Sequence, residues 1–278
     1  MSFITHMDPV AERFKRLLKQ DKLAALDFAR ETGLIRSLSK LDPVWHVMDM
    51  GIIPDPWQAK LLRSQSRNIA VNCSRQSGKS TTCGWRAHHS LTFKPNAFVL
   101  IVSASIRQAS ELFDKIVETN AKSREPLVAT TNNTREVRYT NGARLVVVPS
   151  SADTVRGFSG VTDLIEDEAA FVGDDVYAAC APMVAASGGT HIMLSSPQGQ
   201  LGHFYIACTS GNWEVHKVTA RDIPRISQEW LDQQKKEMPS FQFNREYMGE
   251  FTADDDVVFD PDLIYAAIRS NIKVMDIL

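Results

Sequence analysis

Residues 74–81 read Ser-Arg-Gln-Ser-Gly-Lys-Ser-Thr, between an apolar stretch at 68–72 and a helix-forming stretch that continues to residue 90. A Gly-Lys pair followed by a hydroxyl residue, at the turn from a strand into a helix, is typical of a loop that binds phosphate. Gly78 lets the backbone wrap closely around an anion, and the unpaired N–H groups at the start of the helix point at it. The alternative is an ordinary strand–turn–helix whose Lys79 is merely solvated.

This motif gives the loop residues roles in nucleotide binding. Lys79 reaches the β- and γ-phosphates, and the Ser80 hydroxyl ligates Mg²⁺, so ATP and Mg²⁺ are the expected cofactors. Guanine is not expected as the base, because no Asn-Lys-x-Asp element occurs. One departure is Cys73, which stands where a glycine normally precedes the lysine by six residues. The predicted ATP-binding residues of the loop are Arg75, Gln76, Ser77, Gly78, Lys79, Ser80 and Thr81.

Strand-like and helix-like segments alternate along the chain beyond the loop. The apolar run 97–103 is typical of a buried strand, and 107–120 has its apolar residues at helical spacing. Further strands are predicted at 136–139, 143–148, 161–165, 191–195 and 213–219, further helices at 8–32 and 228–236, and a two-residue hairpin turn at Asn141-Gly142. This alternation predicts an α/β fold, a mainly parallel sheet flanked by helices, and the phosphate-binding loop places it in the P-loop NTPase (RecA/ASCE-like) class. The pattern loosens beyond about residue 200, where a small lid subdomain is expected.

The composition narrows the class of protein only broadly. With 278 residues, 44% apolar and 23% charged, it is that of an ordinary soluble globular chain. No apolar stretch approaches the ~18–20 residues of a membrane span. The four cysteines have no CxxC spacing, which indicates free thiols in a reducing cytoplasm and no zinc site. The net charge of −2 argues against a strongly basic nucleic-acid binder, so any contact with DNA must come from a local patch or from several subunits presenting one face.

A cluster of acidic residues follows the strand predicted at 161–165. It consists of Glu166, Asp167 and Glu168, and apolar character resumes directly after it. In ATPases, such residues hold Mg²⁺ and activate water, which makes Asp167 the metal ligand together with Ser80, and Glu168 the base. A shift of one residue would transfer the metal role to Glu166. Acidic clusters at strand ends are also often no more than solvated turns.

Taken together, these motifs resemble those of the large terminase subunits of tailed bacteriophages, the ATPase motors that translocate the viral genome into the procapsid. In that family an arginine stands four residues before the loop lysine and the leading glycine is often absent, which accounts for Arg75 and Cys73. The other segments that carry the resemblance are Asp-Glu-Ala-Ala at 167–170, Val-Arg-Gly at 155–157, Ser-Ser-Pro-Gln-Gly at 195–199, Pro-Trp-Gln at 56–58 and Asn-Arg-Glu-Tyr-Met-Gly-Glu-Phe at 244–251. Their order and spacing are more specific than any single motif.

The resemblance implies an arginine that completes the catalytic set of Glu168 and Lys79. One candidate is Arg75, which lies in the loop itself and would act in cis or sense the nucleotide. The other is Arg156, which precedes Gly157 and would reach into the site of a neighbouring subunit. Both arginines are also explained as surface residues that form ion pairs.

Two further segments receive roles from the resemblance. Ser195, Ser196 and Pro197 look like the coupling motif that senses hydrolysis, although a plain exit from a strand into a turn explains them as well. Trp57 and Gln58 are expected to contact adenine, by stacking and by paired amide hydrogen bonds respectively. The alternative for Gln58 is a helix-capping or core role.

The expected domain organisation follows the same resemblance. It consists of an N-terminal helical segment (1–45), a P-loop ATPase core (46–200), a lid subdomain (201–252) and an acidic linker (253–278). Full-length family members continue into an RNase H-like nuclease domain, and residues 253–278 are too few to build its sheet. We therefore expect the ATPase domain only, without nuclease activity.

Partners and alternatives complete the prediction. The resemblance implies double-stranded viral DNA, a portal protein, a small terminase subunit and a homo-oligomeric ring on the procapsid in the host cytoplasm, with no membrane. Arg135, Arg138 and Arg144 of the predicted hairpin face DNA phosphates or serve as solvated edge-strand charges.

Two other functions remain open. One is a helicase-like or other P-loop DNA-dependent ATPase, although too little chain remains for a second RecA-like domain. The other is a non-catalytic nucleotide-gated scaffold, against which Glu168 argues.

Overall fold

The computed structural model describes residues 9–252 of the chain. These residues contain an eight-stranded sheet. Its strands are β1 Asn68–Cys73, β2 Phe98–Ser103, β3 Ala129–Asn132, β4 Glu136–Tyr139, β5 Arg144–Pro149, β6 Asp163–Asp167, β7 Thr190–Ser195 and β8 Glu214–Val218. Their spatial order is β3-β4-β5-β2-β6-β7-β1-β8. All neighbouring pairs from β5 to β8 are parallel, and β3 and β4 add antiparallel pairs at one edge. The predicted mainly parallel sheet is confirmed.

Helices precede the sheet and cover its two faces. They are α1 Pro9–Gln20, α2 Lys22–Glu31, α3 Ile35–Leu41, α4 Pro43–Asp49, α5 Pro56–Arg63, α6 Lys79–Phe93, α7 Ile106–Lys122, α8 Ala152–Val155, α9 Asp174–Ser187, α10 Gly202–Thr209, α11 Gln228–Glu237 and α12 Ser240–Met248. Two 3₁₀ turns lie at Ala169–Phe171 and Ala220–Asp222. Of these described helices, none is long and apolar enough to cross a bilayer. The linker expected at 253–278 lies outside the described residues.

Apolar side chains on both faces of the central strands hold the helices on the sheet, as is usual for parallel strands. On one face, Ile165 of β6 packs in a cluster with side chains of α6 and α7. On the other face, Leu164 packs with side chains of α8 and α9. Because successive residues of a strand point to opposite faces, Asp167 shares the α6–α7 face and Glu166 shares the opposite one. The two acidic neighbours therefore have different surroundings.

Two local turns differ from the sequence-based prediction. The helix predicted at 8–32 is two helices, because Asp21 adopts an extended backbone and its carboxylate accepts two N–H groups of the first turn of α2. The β4–β5 hairpin has a three-residue loop instead of a two-residue turn. There the N–H of Tyr139 donates to the carbonyl oxygen of Ala143, and Gly142 takes a left-handed φ of +80°.

Strand β8 belongs to the main sheet, where it pairs in parallel with β1. This strand falls within the range 201–252 that was expected to form a lid, although its pairing partner is a core strand. Within that range, α11 and α12 form a pair outside the sheet, in which Leu231 and Phe243 pack on Ala220. The expected boundary at residue 45 also differs, because α4 runs across it.

Three histidines join the N-terminal helices to α6. His46 Nε2 lies 2.8 Å from His88 Nδ1, and His88 Nε2 lies 3.1 Å from Asn120 Oδ1 of α7. His89 Nε2 lies 2.8 Å from the carbonyl oxygen of Ser39 in α3. Burial, helped by the two neighbouring histidines, lowers the pKa of His46 to about 3, and burial lowers the pKa of His88 to about 4. Both rings are therefore neutral in the folded protein near neutral pH.

Acid is expected to destabilise the fold through these rings. The pKa of an unfolded histidine is about 6.5. As pH falls from about 6.5 towards 4, these histidines therefore bind protons in the unfolded chain but stay neutral in the folded protein. For His46 and His88 together, the free energy of unfolding should fall by about 2 kcal/mol per pH unit between roughly pH 6 and pH 4.5. Urea denaturation at several pH values measures this slope. His46→Phe cannot titrate and should remove about half of the histidine contribution; an unchanged slope would contradict the assignment.

Candidate active site

The phosphate-binding loop predicted from the sequence connects β1, which ends at Cys73, to α6, which begins at Lys79. Gly78 precedes the helix with a φ of +91°, in the left-handed region that favours glycine. Gln76 is left-handed as well, with a φ of +58°. A Cβ atom at Gly78 would lie 3.3 Å from Gln58 Nε2, so a side chain there would also crowd the loop. The loop therefore has the tight, glycine-dependent path that an anion-binding loop requires.

The donors of the loop suit an anionic ligand. Within residues 9–252, no side chain caps the start of α6, so the N–H groups of its first turn and its dipole remain available to a phosphate. The Ser74 hydroxyl is fully buried and makes no hydrogen bond in the same part of the chain. Buried polar atoms without a partner are rare, and one inside such a loop fits a polar ligand that completes it.

Lys79, Glu168 and Ser195 meet at one edge of the sheet. Lys79 Nζ lies 3.0 Å from Glu168 Oε1, and the Ser195 hydroxyl donates to Glu168 Oε2 at 3.3 Å. The strand order explains this meeting, because β7 lies between β1 and β6 and the carboxyl ends of parallel strands share one edge. The structure thus brings together the predicted lysine, the predicted base and the first residue of the predicted coupling motif.

Glu168 has an unusual backbone conformation. Its φ of +53° lies in the left-handed region, which costs a non-glycine residue on the order of 1 kcal/mol. The residue turns the chain from β6 into the 3₁₀ turn at Ala169–Phe171, and its carboxylate contacts Lys79. Residues in such conformations concentrate at functional sites. The conformation supports Glu168 as the carboxylate that acts on water.

Asp167 is almost fully buried at the end of β6. Its Oδ1 accepts the N–H of Glu168 at 3.1 Å. Burial, helped by the charge of Glu168 and opposed by that of Lys79, raises the pKa of Asp167 to about 7. Among the described residues, no cluster of three or more His, Cys, Asp or Glu side chains could hold a metal. Mg²⁺ at this place would therefore rest on Asp167, Ser80 and the oxygens of phosphate and water.

Glu166 faces away from this site. Its carboxylate lies 2.6 Å from His191 Nε2 and 3.0 Å from His203 Nε2, and it is completely buried. Burial alone would raise the pKa of Glu166, but the charges and hydrogen bonds of the two histidines outweigh burial and lower it to about 2. His203 also contacts Asp174 at 2.9 Å. Glu166 is thus fully engaged on the opposite face, which leaves Asp167 as the candidate metal ligand.

The two candidate arginines lie in different surroundings. Arg75 forms an ion pair with Glu246 of α12, and its backbone N–H donates to the Glu246 carbonyl oxygen at 3.2 Å. The side chain of Arg156, after α8, is 65% exposed and lies 3.3 Å from Asp153. Helix α8 follows β5, which is four strands from β1 and therefore roughly 19 Å from it. Arg75 contacts α12 beside the loop of its own chain, whereas the described ion pair of Arg156 is with Asp153 and not with a residue of the site.

Trp57 and Gln58 lie on α5, beside the loop. Gln58 is buried, and its Oε1 accepts the N–H of Asp55 at 2.8 Å. Through this contact Gln58 closes the first turn of α5, while its Nε2 lies near Gly78. Trp57 is half-buried against the cluster that contains Cys73, and its Nε1 makes no hydrogen bond within residues 9–252. Trp57 thus packs against the base of the loop.

The rest of the predicted coupling motif is buried as well. Ser196 and Pro197 follow Ser195 directly after β7. Two residues later, the backbone of Gly199 pairs with that of Thr252, just beyond α12. A movement of this segment would therefore reach the end of the α11–α12 region.

Sequence reasoning missed Glu246 and Arg225, two side chains at the loop. Glu246 pairs with Arg75, and Arg225 Nη2 lies 3.4 Å from the carbonyl oxygen of Ser77. Glu246 lies in the segment 244–251 that carries the family resemblance, but nothing in that segment indicated a contact with the loop, and Arg225 belongs to no recognised motif. Both approach the loop because β8 pairs with β1 and carries the following segment towards it.

Comparison with known proteins identifies the family. Residues 71–265 match the family model described as terminase large subunit, T4likevirus-type, N-terminal. The chain belongs to this family. The terminase large subunit of Thermus virus P23-45 is 24% identical over 248 residues, which cover 76% of this chain and 51% of that protein. The chain thus spans about half the length of the curated terminase relatives that it matches.

Solved structures of large terminases share the fold. The ATPase domain of the Thermus phage P74-26 large terminase superposes with a TM-score of 0.65 at 22% identity, covering 74% of this chain and 97% of that domain. The large terminase of another thermophilic bacteriophage, in complex with ADP, gives a TM-score of 0.58 at 13% identity, covering 71% of this chain and 53% of that one. The predicted α/β fold is therefore confirmed, and these large terminases share it.

Proposed function

We propose that this chain is the ATP-hydrolysing motor domain of a viral genome-packaging terminase, which translocates double-stranded DNA into a procapsid. The observation that carries the proposal is the meeting of Lys79, Glu168 and Ser195 at the ends of β1, β6 and β7. A carboxylate in contact with both a cation and a hydroxyl suits phosphoryl transfer to water. Membership of the terminase family supports the assignment.

ATP and Mg²⁺ are the proposed cofactors. The loop 75–81 would hold the phosphates, while Asp167 and Ser80 would hold Mg²⁺. When bound, the metal ion neutralises negative charge on the phosphoryl group that is transferred. Trp57 and Gln58 beside the loop are the proposed adenine contacts. The ADP complex of the structurally similar large terminase from a thermophilic bacteriophage supports a nucleotide at this fold.

Lys79 is proposed to exchange partners on nucleotide binding. In their ion pair, Lys79 and Glu168 bind each other. Hydrolysis requires Lys79 to bind the phosphates and Glu168 to act on water. Phosphates at the start of α6 compete with Glu168 for the ammonium group, because they carry more negative charge than one carboxylate. Once released, the Glu168 carboxylate orients and deprotonates water. The Ser195 hydroxyl still holds its other oxygen.

Ser195, Ser196 and Pro197 are proposed to couple hydrolysis to movement. Ser195 touches Glu168, and the backbone after Pro197 pairs with the segment beyond α12. We assign the moving lid to α11 and α12 and place β8 in the ATPase core. The helices of the segment 1–45 are proposed to form a unit that packs on α5 and α6.

The proposed partners are double-stranded DNA, a portal protein, a small terminase subunit and further copies of this chain in a ring, in the host cytoplasm. The basic hairpin is the proposed DNA-facing element, although two of its three arginines already contact other side chains of the chain. The guanidinium of Arg144 lies 3.6 Å from the centre of the Phe98 ring, and Arg138 pairs with Glu136 at 2.6 Å. Arg135 is exposed, so it is the first residue to test for DNA binding by charge reversal and filter-binding.

Mg²⁺-dependent ATP turnover as a function of protein concentration, with and without procapsids and DNA, tests the proposed function. A site completed between subunits predicts a steep rise in turnover per chain on assembly. Lys79→Ala removes the phosphate-binding cation and should weaken ATP binding about tenfold or more. Wild-type protein that binds ATP but never hydrolyses it would indicate the nucleotide-gated scaffold. Wild-type protein that does not bind ATP would overturn the proposal.

A further inference from the structure

Arg225 lies at the rim of the phosphate-binding loop, between β8 and α11. Its Nη1 lies 3.2 Å from Asp55 Oδ2, and its Nη2 lies 3.4 Å from the carbonyl oxygen of Ser77. The same Nη2 would lie 3.7 Å from a Cβ atom at Gly78, next to Gln58 Nε2 at 3.3 Å. The guanidinium therefore stands over the residues that precede Lys79, on the side where α5 approaches the loop.

The backbone around Arg225 is held firmly. Ile223 is buried in the cluster that also contains Cys73 of β1, and Ile226 packs against both this cluster and the cluster of α11 and α12. Ser227 caps α11, with its hydroxyl accepting the N–H of Trp230 at 3.2 Å. Residues 223–227 thus connect Arg225 directly to the start of α11, so a change in the position of the Arg225 side chain would be transmitted to that helix.

The contacts that hold the guanidinium are weak enough to be exchanged. The side chain of Arg225 is 60% exposed and that of Asp55 is 17% exposed, and an ion pair whose cation is largely solvated contributes little to stability. The Ser77 carbonyl oxygen is an uncharged acceptor at a long distance. A nucleotide phosphate is a better partner, because it is multiply charged and matches the planar, two-pronged donor geometry of arginine.

The α11–α12 unit also touches the loop at a second place. Asn72 Nδ2, one residue before the end of β1, donates to the carbonyl oxygen of Gly249 at 2.9 Å, and the backbone N–H of Arg75 donates to the carbonyl oxygen of Glu246. The end of α12 is therefore attached to the start of the loop. Arg225 extends from the other end of the unit. A ligand in the loop can therefore be contacted from both ends of the α11–α12 unit.

We propose that Arg225 is a nucleotide-binding residue of the lid. Its guanidinium leaves Asp55 and binds the phosphates of the nucleotide, and this exchange draws α11 onto the loop. The inference rests on the proposed function, since it names a further residue of the same site. It also gives Asp55 a role, as the carboxylate that competes with the nucleotide for Arg225.

Equilibrium titration with a fluorescent N-methylanthraniloyl ATP, combined with limited proteolysis, tests the inference on the whole chain. Arg225→Ala should weaken binding of the analogue about tenfold, the effect of losing one charge-assisted contact. Nucleotide should also protect the segment 219–239 from protease in the wild type, and this protection should be absent from Arg225→Ala even at saturating nucleotide. Asp55→Asn keeps the size of the side chain but releases the guanidinium, and should tighten binding about twofold.

Arg221→Ala is the matched control. Arg221 is an exposed arginine four residues earlier in the same segment, and its removal should change neither binding nor protection. If Arg225→Ala binds the analogue within about twofold of the wild type, or gains the same protection, Arg225 does not contact the nucleotide. Failure of the wild type itself to bind would overturn the proposed function instead, so the two failures are distinguishable.

Discussion

Replacing Glu168 with Gln is expected to lower the turnover number for ATP by about 10²–10⁴-fold while nucleotide binding persists. The amide keeps the size of the side chain and can still accept the hydrogen bond from Ser195, but it cannot take a proton from water. The change also removes the ion pair with Lys79, whose Nζ lies 3.0 Å from the carboxylate. Because the ammonium is then free for phosphates, ATP affinity should be equal to or higher than that of the wild type. Single-turnover hydrolysis and equilibrium binding separate the two effects.

Ser195→Ala is the control for this experiment. It removes one hydrogen bond to Glu168 but leaves the carboxylate charged, so ATP turnover should remain within about tenfold of the wild type. If Glu168→Gln also stays within tenfold, the base is another residue. Asp167 would then be the next candidate, because its pKa, raised to about 7 by burial, lies near the working pH.

The parts of the site that the sequence could predict are local in the chain. The loop ending at Lys79 and the acidic pair at the end of β6 are each a few consecutive residues at the end of an apolar strand. Parallel strands place such ends at one edge, so the meeting of Lys79 and Glu168 followed from the alternation of strands and helices. The choice between Glu166 and Asp167 needed the histidines that engage Glu166 on the opposite face.

The parts that the sequence could not predict depend on contacts between distant segments. Arg225 and Glu246 reach the loop because β8 pairs with β1, and nothing local in 214–218 distinguishes a core strand from a strand of a separate lid. The break at Asp21 is a different case. An aspartate is a good N-cap, but the helix-forming residues on both sides of it outweighed that signal in the prediction of one helix.

Arg156 is the candidate arginine for a site completed between subunits. It is exposed, pairs with Asp153, and precedes Gly157 after a helix that follows β5, the fourth strand from β1. An arginine so placed would serve a neighbouring subunit in a ring. An arginine finger stabilises the negative charge that develops on the transferred phosphoryl group and typically raises turnover by about 10³–10⁵-fold. Asp153→Asn, which removes only the partner of Arg156, should leave turnover unchanged and serves as the control.

Arg156→Ala is therefore expected to lower ATP turnover of the assembled motor by about 10³-fold or more, without changing ATP binding by the unassembled chain. Mixed rings provide the sharpest comparison. Arg156→Ala keeps the base but lacks the finger, and Glu168→Gln keeps the finger but lacks the base. If Arg156 acts in trans, a mixture of the two inactive variants should regain part of the wild-type turnover, because each Glu168→Gln subunit supplies its arginine to an Arg156→Ala neighbour. Mixtures as inactive as their components, or assembled Arg156→Ala motors with full turnover, would contradict that role.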